Sequence, residues 1–136
     1  MPTHKQQVDL SLSLLKLKKG QLMYELGCGD GRLLNAAAKQ GYKAVGYEMN
    51  PIMYVWALLN TQHHRNLVEV KFGNFWKADL SNADGVYVFL LDRFMERLDK
   101  KLSSELKSGV RLASYTFKIP GKKPEKVKSG IFVYLY

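Results

Sequence analysis

The sequence holds few residues that cross-link or chelate. Its one cysteine, Cys28, excludes an intrachain disulfide and any cysteine-based zinc knuckle. A reduced, cytoplasmic setting is the expectation. No apolar run approaches the ~20 residues a helix needs to span a bilayer. Residues 10–17 alternate leucine with Ser and Lys, with no small-residue cleavage site after them, so no signal peptide is expected. Four prolines and eleven glycines in 136 residues exclude a collagen-like or low-complexity chain. His63 and His64 are adjacent and would face different ways on a helix end, so no metal site is expected.

Acidic residues are also scarce: 12 Asp and Glu stand against 21 Lys and Arg, a net charge of +9. The excess is uneven. Residues 1–19 carry +3 and residues 118–128 carry +4, whereas residues 20–91 are neutral. The basic ends suit a landing surface for an acidic protein, nucleic acid or anionic lipid, or they serve solubility alone.

With 46% hydrophobic and 24% charged residues, the composition is that of an ordinary globular protein. A chain of this length holds a core without staples. We read residues 1–136 as one domain, with an N-terminal helical segment at 1–20 and the core at 21–136. Strand-like and helix-like segments alternate, which predicts an α/β fold with a mainly parallel sheet. Helices are expected at 10–19, 31–40, from Asn50-Pro51 through Leu59, and at 93–107. Strands are expected at 22–26, 43–48, 67–72, 85–91, 110–117 and 131–136. The continuous run GVYVFLL reads as a central strand buried on both faces. Trp56, at helical spacing with Ile52 and Leu59, is expected in the core.

The sharpest feature lies between the first strand and the following helix: Glu25-Leu26-Gly27-Cys28-Gly29-Asp30-Gly31. Glycines there permit a tight turn and close approach of a ligand to the backbone. The next helix offers free N–H groups to an anion. That is a nucleotide-type cofactor site at the carboxyl end of a parallel strand. The dinucleotide fingerprint fails, because Arg32 stands where its last glycine belongs, and no P-loop Gly-Lys-Ser/Thr is present.

An acidic residue followed by G-x-G-x-G resembles the first motif of seven-strand (class I) S-adenosylmethionine-dependent methyltransferases. Under this resemblance Glu25 meets the cationic end of the cofactor, and the bare backbone at Gly27 and Gly29 supports the methionine part. Cys28 is a small filler in the turn. Glu48, nineteen residues after Gly29, can accept hydrogen bonds from both ribose hydroxyls. Asn74 can bond an adenine edge, and Phe75 can help wall the ring.

The likeness extends further. ELGCGDGR (25–32), AVGYEMNP (44–51), FGNFWKADLS (72–81), the stretch 86–117 with its L-x-x-K-L-x-x-E-L helix, and VYLY (133–136) resemble the small protein-lysine methyltransferases of archaea and their mitochondrial relatives. That implies a reduced Rossmann-like class I fold with an antiparallel C-terminal strand, S-adenosylmethionine as cofactor, and methyl transfer to lysine ε-amines of a protein substrate. Pro2-Thr3 resembles a family pair near the cofactor. One departure is Lys122, where members often carry Trp.

The acceptor is expected at the end of the fourth strand. Amide and adenine N-methyltransferases place an Asn/Asp-Pro-Pro-aromatic motif there; this chain has Leu90-Leu91-Asp92-Arg93. Apolar Leu90 and Leu91 suit an aliphatic lysine stem. Asp92 can attract an ammonium, but we favour it as N-cap of the next helix. Tyr115 and Phe117 either line the acceptor channel or are ordinary core and edge residues. No catalytic base is assigned. The other readings are methylation of RNA, for which the basic ends are suited, methylation of a small molecule, and a non-catalytic cofactor-binding partner protein.

Overall fold

The computed structural model describes residues 4–136; the Pro2-Thr3 pair lies outside the described residues. The helices are α1 (His4–Leu15), α2 (Arg32–Lys39), α3 (Pro51–Thr61) and α4 (Met95–Glu105). The strands are β1 (Leu22–Leu26), β2 (Lys43–Glu48), β3 (Val68–Phe72), β4 (Gly85–Val88), β5 (Arg111–Tyr115), β6 (Lys126–Lys128) and β7 (Ile131–Leu135). They form one seven-stranded sheet in the order β3-β2-β1-β4-β5-β7-β6. The first five strands are mutually parallel, and β7 is antiparallel to both β5 and β6.

The parallel core follows from sequence pattern. Asn50 caps α3 through its side-chain oxygen, which accepts from the Ile52 and Met53 N–H groups, and Pro51 opens the first turn. All four β4 residues are buried, as a strand covered on both faces requires. One face of the sheet is covered by α1, α2 and α3 through Leu12, Leu15, Leu34, Ala37 and Ala57. The other is covered by α4 through Met95, Leu98 and Leu102.

Four expectations need correction. Lys126–Lys128 adds a seventh strand to the six expected; it runs in the same direction as β1–β5, so β7 alone is reversed, as the resemblance implied. All three β6 residues are exposed, so no apolar alternation marks the strand. The signal lies in Ser129-Gly130, both at positive φ, the backbone of a two-residue hairpin turn. Helix α1 begins at His4, earlier than its leucine spacing suggests, because its buried face includes Gln7 and Ser11. Strand β4 ends at Val88, three residues short of the apolar run. Trp56 is not core but 54% exposed.

Sheet order reverses between β2 and β4 on either side of β1. A crevice therefore opens beyond the carboxyl ends of β1 and β4, the usual ligand position in open α/β sheets.

Candidate active site

The glycine turn occupies that crevice. Gly27, Gly29 and Gly31 all have positive φ, at 86°, 55° and 85°, a conformation that side-chain-bearing residues rarely adopt. The N–H groups of Gly27 and Cys28 both donate to the Tyr47 carbonyl at 2.9 Å, which ties the turn to the end of β2. Glu48 completes the tie. Its Oε1 accepts from Gly29 N at 2.8 Å and its Oε2 accepts from Asn50 N at 3.0 Å. One carboxylate thus holds both the glycine turn and the start of α3.

Cys28 is buried, and burial pushes its thiol up to about 12, so it is no nucleophile. Its side chain fills the space over Gly46: a β-carbon built at Gly46 would lie 2.7 Å from Cys28 Cβ.

Glu25 is the most unusual group in the molecule. It is buried, and its Oε1 has no hydrogen-bond partner. Burial first, then the Asp30 and Glu48 carboxylates, raise its pKa well above the usual value. It lines a cavity of about 310 Å³ together with Gly27, Cys28, Gly29, Met53, Tyr87, Phe89 and Tyr115. A β-carbon built at Gly27 would meet nothing within 4 Å, so the backbone there faces open space. At the start of α2, Asp30 Oδ1 already accepts from Arg32 N at 3.2 Å, and the Arg32 guanidinium pairs with Asp30 at 2.6 Å. Three carboxylates therefore surround the turn. This field favours a cationic ligand group over a phosphate.

Helix α1 closes one side of the cavity. Gln7 Nε2 donates to the Tyr87 hydroxyl at 2.6 Å. Burial pushes the Tyr87 hydroxyl up to about 12, so it stays protonated and can itself donate. Gln7, Tyr87 and Met53 escaped the sequence reading, which reached Phe89 only as part of the end of the fourth strand. Alternation along GVYVFLL carries a usable signal once register is known: Tyr87 lies opposite Glu25, and Phe89 follows on the same face.

Asn74 and Phe75 sit beside Glu48, because Gly73 N donates to the Glu48 carbonyl at 3.0 Å. Asn74 Oδ1 is engaged locally, accepting from Trp76 N at 2.9 Å, which leaves the amide N–H₂ to meet a ligand. Phe75 is buried against the α4-side core, with its ring centroid 4.7 Å from that of Trp76. Packing thus fixes the Phe75 ring beside Asn74. The L-x-x-K-L-x-x-E-L helix explains how this turn is held. Lys101 Nζ donates to the carbonyls of Trp76 and Ala78 at 3.1 and 2.5 Å and to Glu105 at 2.7 Å.

The acceptor-side residues divide by face. Leu90 packs against the α4-side core, and Leu91 is exposed beyond the strand. Neither lines the cavity; Phe89 does, because it continues the Glu25–Tyr87 face. The Phe89 ring centroid lies 5.2 Å from that of Tyr115 and 6.3 Å from that of Phe117; Phe89 and Tyr115 form an aromatic rim to the cavity, and Phe117 packs behind them against the α4-side core. Asp92 lies within a 3-10 turn (Asp92–Phe94), and no side chain caps either that turn or α4. The N-cap reading is therefore corrected. Lys122 is held away from the cavity by Asp99, at 3.0 Å, and lies 3.7 Å from the Tyr136 ring centroid.

The profile of the ANTKMT methyltransferase domain matches residues 25–126. The protein-lysine N-methyltransferase of Saccharolobus islandicus (strain REY15A) is 38% identical over 146 residues, covering 100% of this chain and 91% of that protein. The adenine nucleotide translocase lysine N-methyltransferase of Mus musculus is 36% identical over 124 residues, covering 89% of this chain but 54% of the relative, so the chain spans just over half of that longer protein. Among solved structures, an RNA methyltransferase from Salinibacter ruber in complex with S-adenosyl-L-homocysteine superposes with a TM-score of 0.88 at 32% identity, covering 98% of this chain and 91% of that one.

Proposed function

Because the chain belongs to the ANTKMT methyltransferase domain family, we propose that it transfers methyl groups from S-adenosylmethionine to lysine ε-amines of proteins. Its sheet is that of a Rossmann-like class I methyltransferase. One observation carries the cofactor assignment: the buried Glu25 carboxyl, its Oε1 without a partner, facing a cavity that Asp30 also lines, with Glu48 holding the glycine turn beside it. A pyrophosphate would meet the Asp30 and Glu48 carboxylates there, beside a Glu25 whose pKa is already raised and with Arg32 already paired to Asp30. The ammonium of a methionine moiety complements these carboxylates.

The residues present fit this group. Glu25 takes the cationic end, Gly27 and Gly29 cradle the methionine part, Glu48 reaches the ribose with the lone pairs it keeps beyond Gly29 and Asn50, and Asn74 offers its amide to the base. Bound S-adenosylmethionine supplies a methyl carbon already activated by sulfonium. The chain's own task is alignment, which can supply up to roughly 7–11 kcal/mol.

A lysine acceptor must be neutral to react. With an ordinary pKa of about 10.4, roughly one in 2,500 is neutral at pH 7. Entry of the amine beside the Phe89 and Tyr115 rings that line the cavity would strip water from it and so lower that pKa. No dedicated base is required.

Glu48→Ala is expected to weaken cofactor binding by about 1.5–3 kcal/mol, the scale for hydrogen bonds to a charged group. The loss combines ribose contacts with the tether on Gly29. Titration calorimetry checks it, and an unchanged dissociation constant refutes the assignment.

The RNA reading draws on the basic chain ends and on the Salinibacter ruber relative. The aromatic rim, and Leu90-Leu91-Asp92-Arg93 where planar nucleophiles are gripped, favour lysine. Incubation with tritiated S-adenosylmethionine and an untreated lysate separates the readings. Label released by protease alone, with methyl-lysine in the hydrolysate, is the expected result. Label in RNA or in small molecules would overturn it, and intact cofactor binding without any label would mark a non-catalytic partner protein.

A further inference from the structure

Helix α3 carries its apolar stripe outward. Ile52, Val55, Trp56 and Leu59 recur at the spacing that ordinarily faces a core, yet they are 70, 52, 54 and 55% exposed. On the inner side of the helix, Ala57 and Thr61 pack closely under Gly31, and Tyr54 reaches the core beside them. With Pro51, the four outward residues line a shallow apolar trough of about 410 Å³. No charged residue occurs between Glu48 and Arg65. Exposed apolar surface gathered on one helix marks an interaction site.

The flanks identify the partner. Helices α1, α2 and α3 lie side by side on one face of the sheet. Together they contain one acid, Asp9, against Lys5, Arg32 and Lys39, and Arg32 is paired with Asp30 just before α2. Lys5, Lys39 and the nearby Arg65 are exposed and form no ion pair among the described residues. A second copy fits poorly. An 11-residue helix is about 16 Å long, too short for its stripe alone to approach the roughly 1,000 Å² of a stable interface. Pairing would also bring two cationic flanks together. An anionic bilayer surface satisfies both features: apolar side chains enter the acyl boundary while the flanking cations meet headgroups.

We propose that the outward face of α3, flanked by the basic residues of α1 and α2, docks the protein on anionic phospholipid membranes. The cavity is lined by Met53 of α3, Arg32 of α2 and His4 of α1, so docking sets its mouth beside the lipid surface. This inference does not depend on the identity of the acceptor.

The test is co-sedimentation of the full chain with vesicles of phosphatidylcholine, with and without phosphatidylserine. Binding is expected only with phosphatidylserine and should weaken as salt rises. The Ile52→Ser/Trp56→Ser variant should lose more than about tenfold in partitioning, with S-adenosylmethionine affinity unchanged as the control for folding. In a Trp76→Phe background, Trp56 emission should shift to the blue on the anionic vesicles. Absent binding, or equal binding by the double variant, would overturn the proposal. A concentration-dependent dimer in sedimentation velocity that the same variant abolishes would assign the face to a second copy and overturn it as well. Failure of the methyltransferase reading would show separately, as a wild-type chain that does not bind S-adenosylmethionine.

Discussion

Glu25→Gln is expected to weaken S-adenosylmethionine binding about a hundredfold while making the ligand-free protein more stable. The two effects have one cause. Glu25 is buried with an oxygen that has no partner in the chain, so without ligand it is a cost to the fold. Glutamine keeps the shape and removes the charge. Binding loses the attraction between carboxylate and ammonium, about 3 kcal/mol for a charged pair out of water. The fold gains about 1 kcal/mol, or a few degrees in Tm.

The pH dependence follows from the sign of the shift. Folding raises the Glu25 pKa, so the folded chain holds a proton that the unfolded chain releases. Stability of the ligand-free protein is therefore greatest below the ordinary carboxylate value and falls as pH rises toward the folded value. The Tm gap between Glu25→Gln and wild type should widen over the same range. Cofactor binding needs the ionised carboxylate, so wild type should release a proton on binding and the variant should not. Calorimetry in buffers of different ionisation enthalpy measures this directly. Equal affinities for the two proteins would remove Glu25 from the site.

Gly46→Ala is expected to destabilise the fold by about 3 kcal/mol, lowering Tm by roughly 10 °C. Gly46 sits in β2, in register with Glu25 of β1. An added β-carbon would lie 2.7 Å from Cys28 Cβ, 2.8 Å from Cys28 Sγ and 2.7 Å from Leu34 Cδ1. The Leu34 methyl can rotate aside, but Cys28 cannot, because its own N–H is bonded to the Tyr47 carbonyl. The substitution therefore pushes the glycine turn, and cofactor affinity should fall with stability. Adding Cys28→Ala removes the sulfur overlap and should recover part of the loss, a non-additivity expected of residues in contact. A Gly46→Ala protein that melts with wild type would show that this approach is looser than described.

The residues that meet the glycine turn were legible because their chemistry is local. The Glu25-to-Gly31 run permits few backbone paths, and Asn50-Pro51 marks a helix start by itself. Residues whose role depends on which way a strand faces were not. Leu90 and Leu91 looked suited to a lysine stem, but β4 ends at Val88, Leu90 packs toward α4, and Phe89 takes the rim. Asn74 was found, but the use of its oxygen to hold Trp76 N was not, since a capping contact and a ligand contact need the same side chain.

Sequence alone determined the alternation of strands and helices, the glycine turn and the acids at the carboxyl ends of the first two strands. These are set by backbone conformation and hydrophobic period, which act over a few residues. Tertiary structure decided the rest. Parallel register sets Tyr87 opposite Glu25, and Gln7 arrives from α1 eighty residues away. Burial among other carboxylates changed the protonation of Glu25. Most telling is α3, whose spacing promised a core helix. The side of that helix with Ala57 and Thr61 packs inward under Gly31, because residues of that size allow so close an approach, and Trp56 is left facing outward.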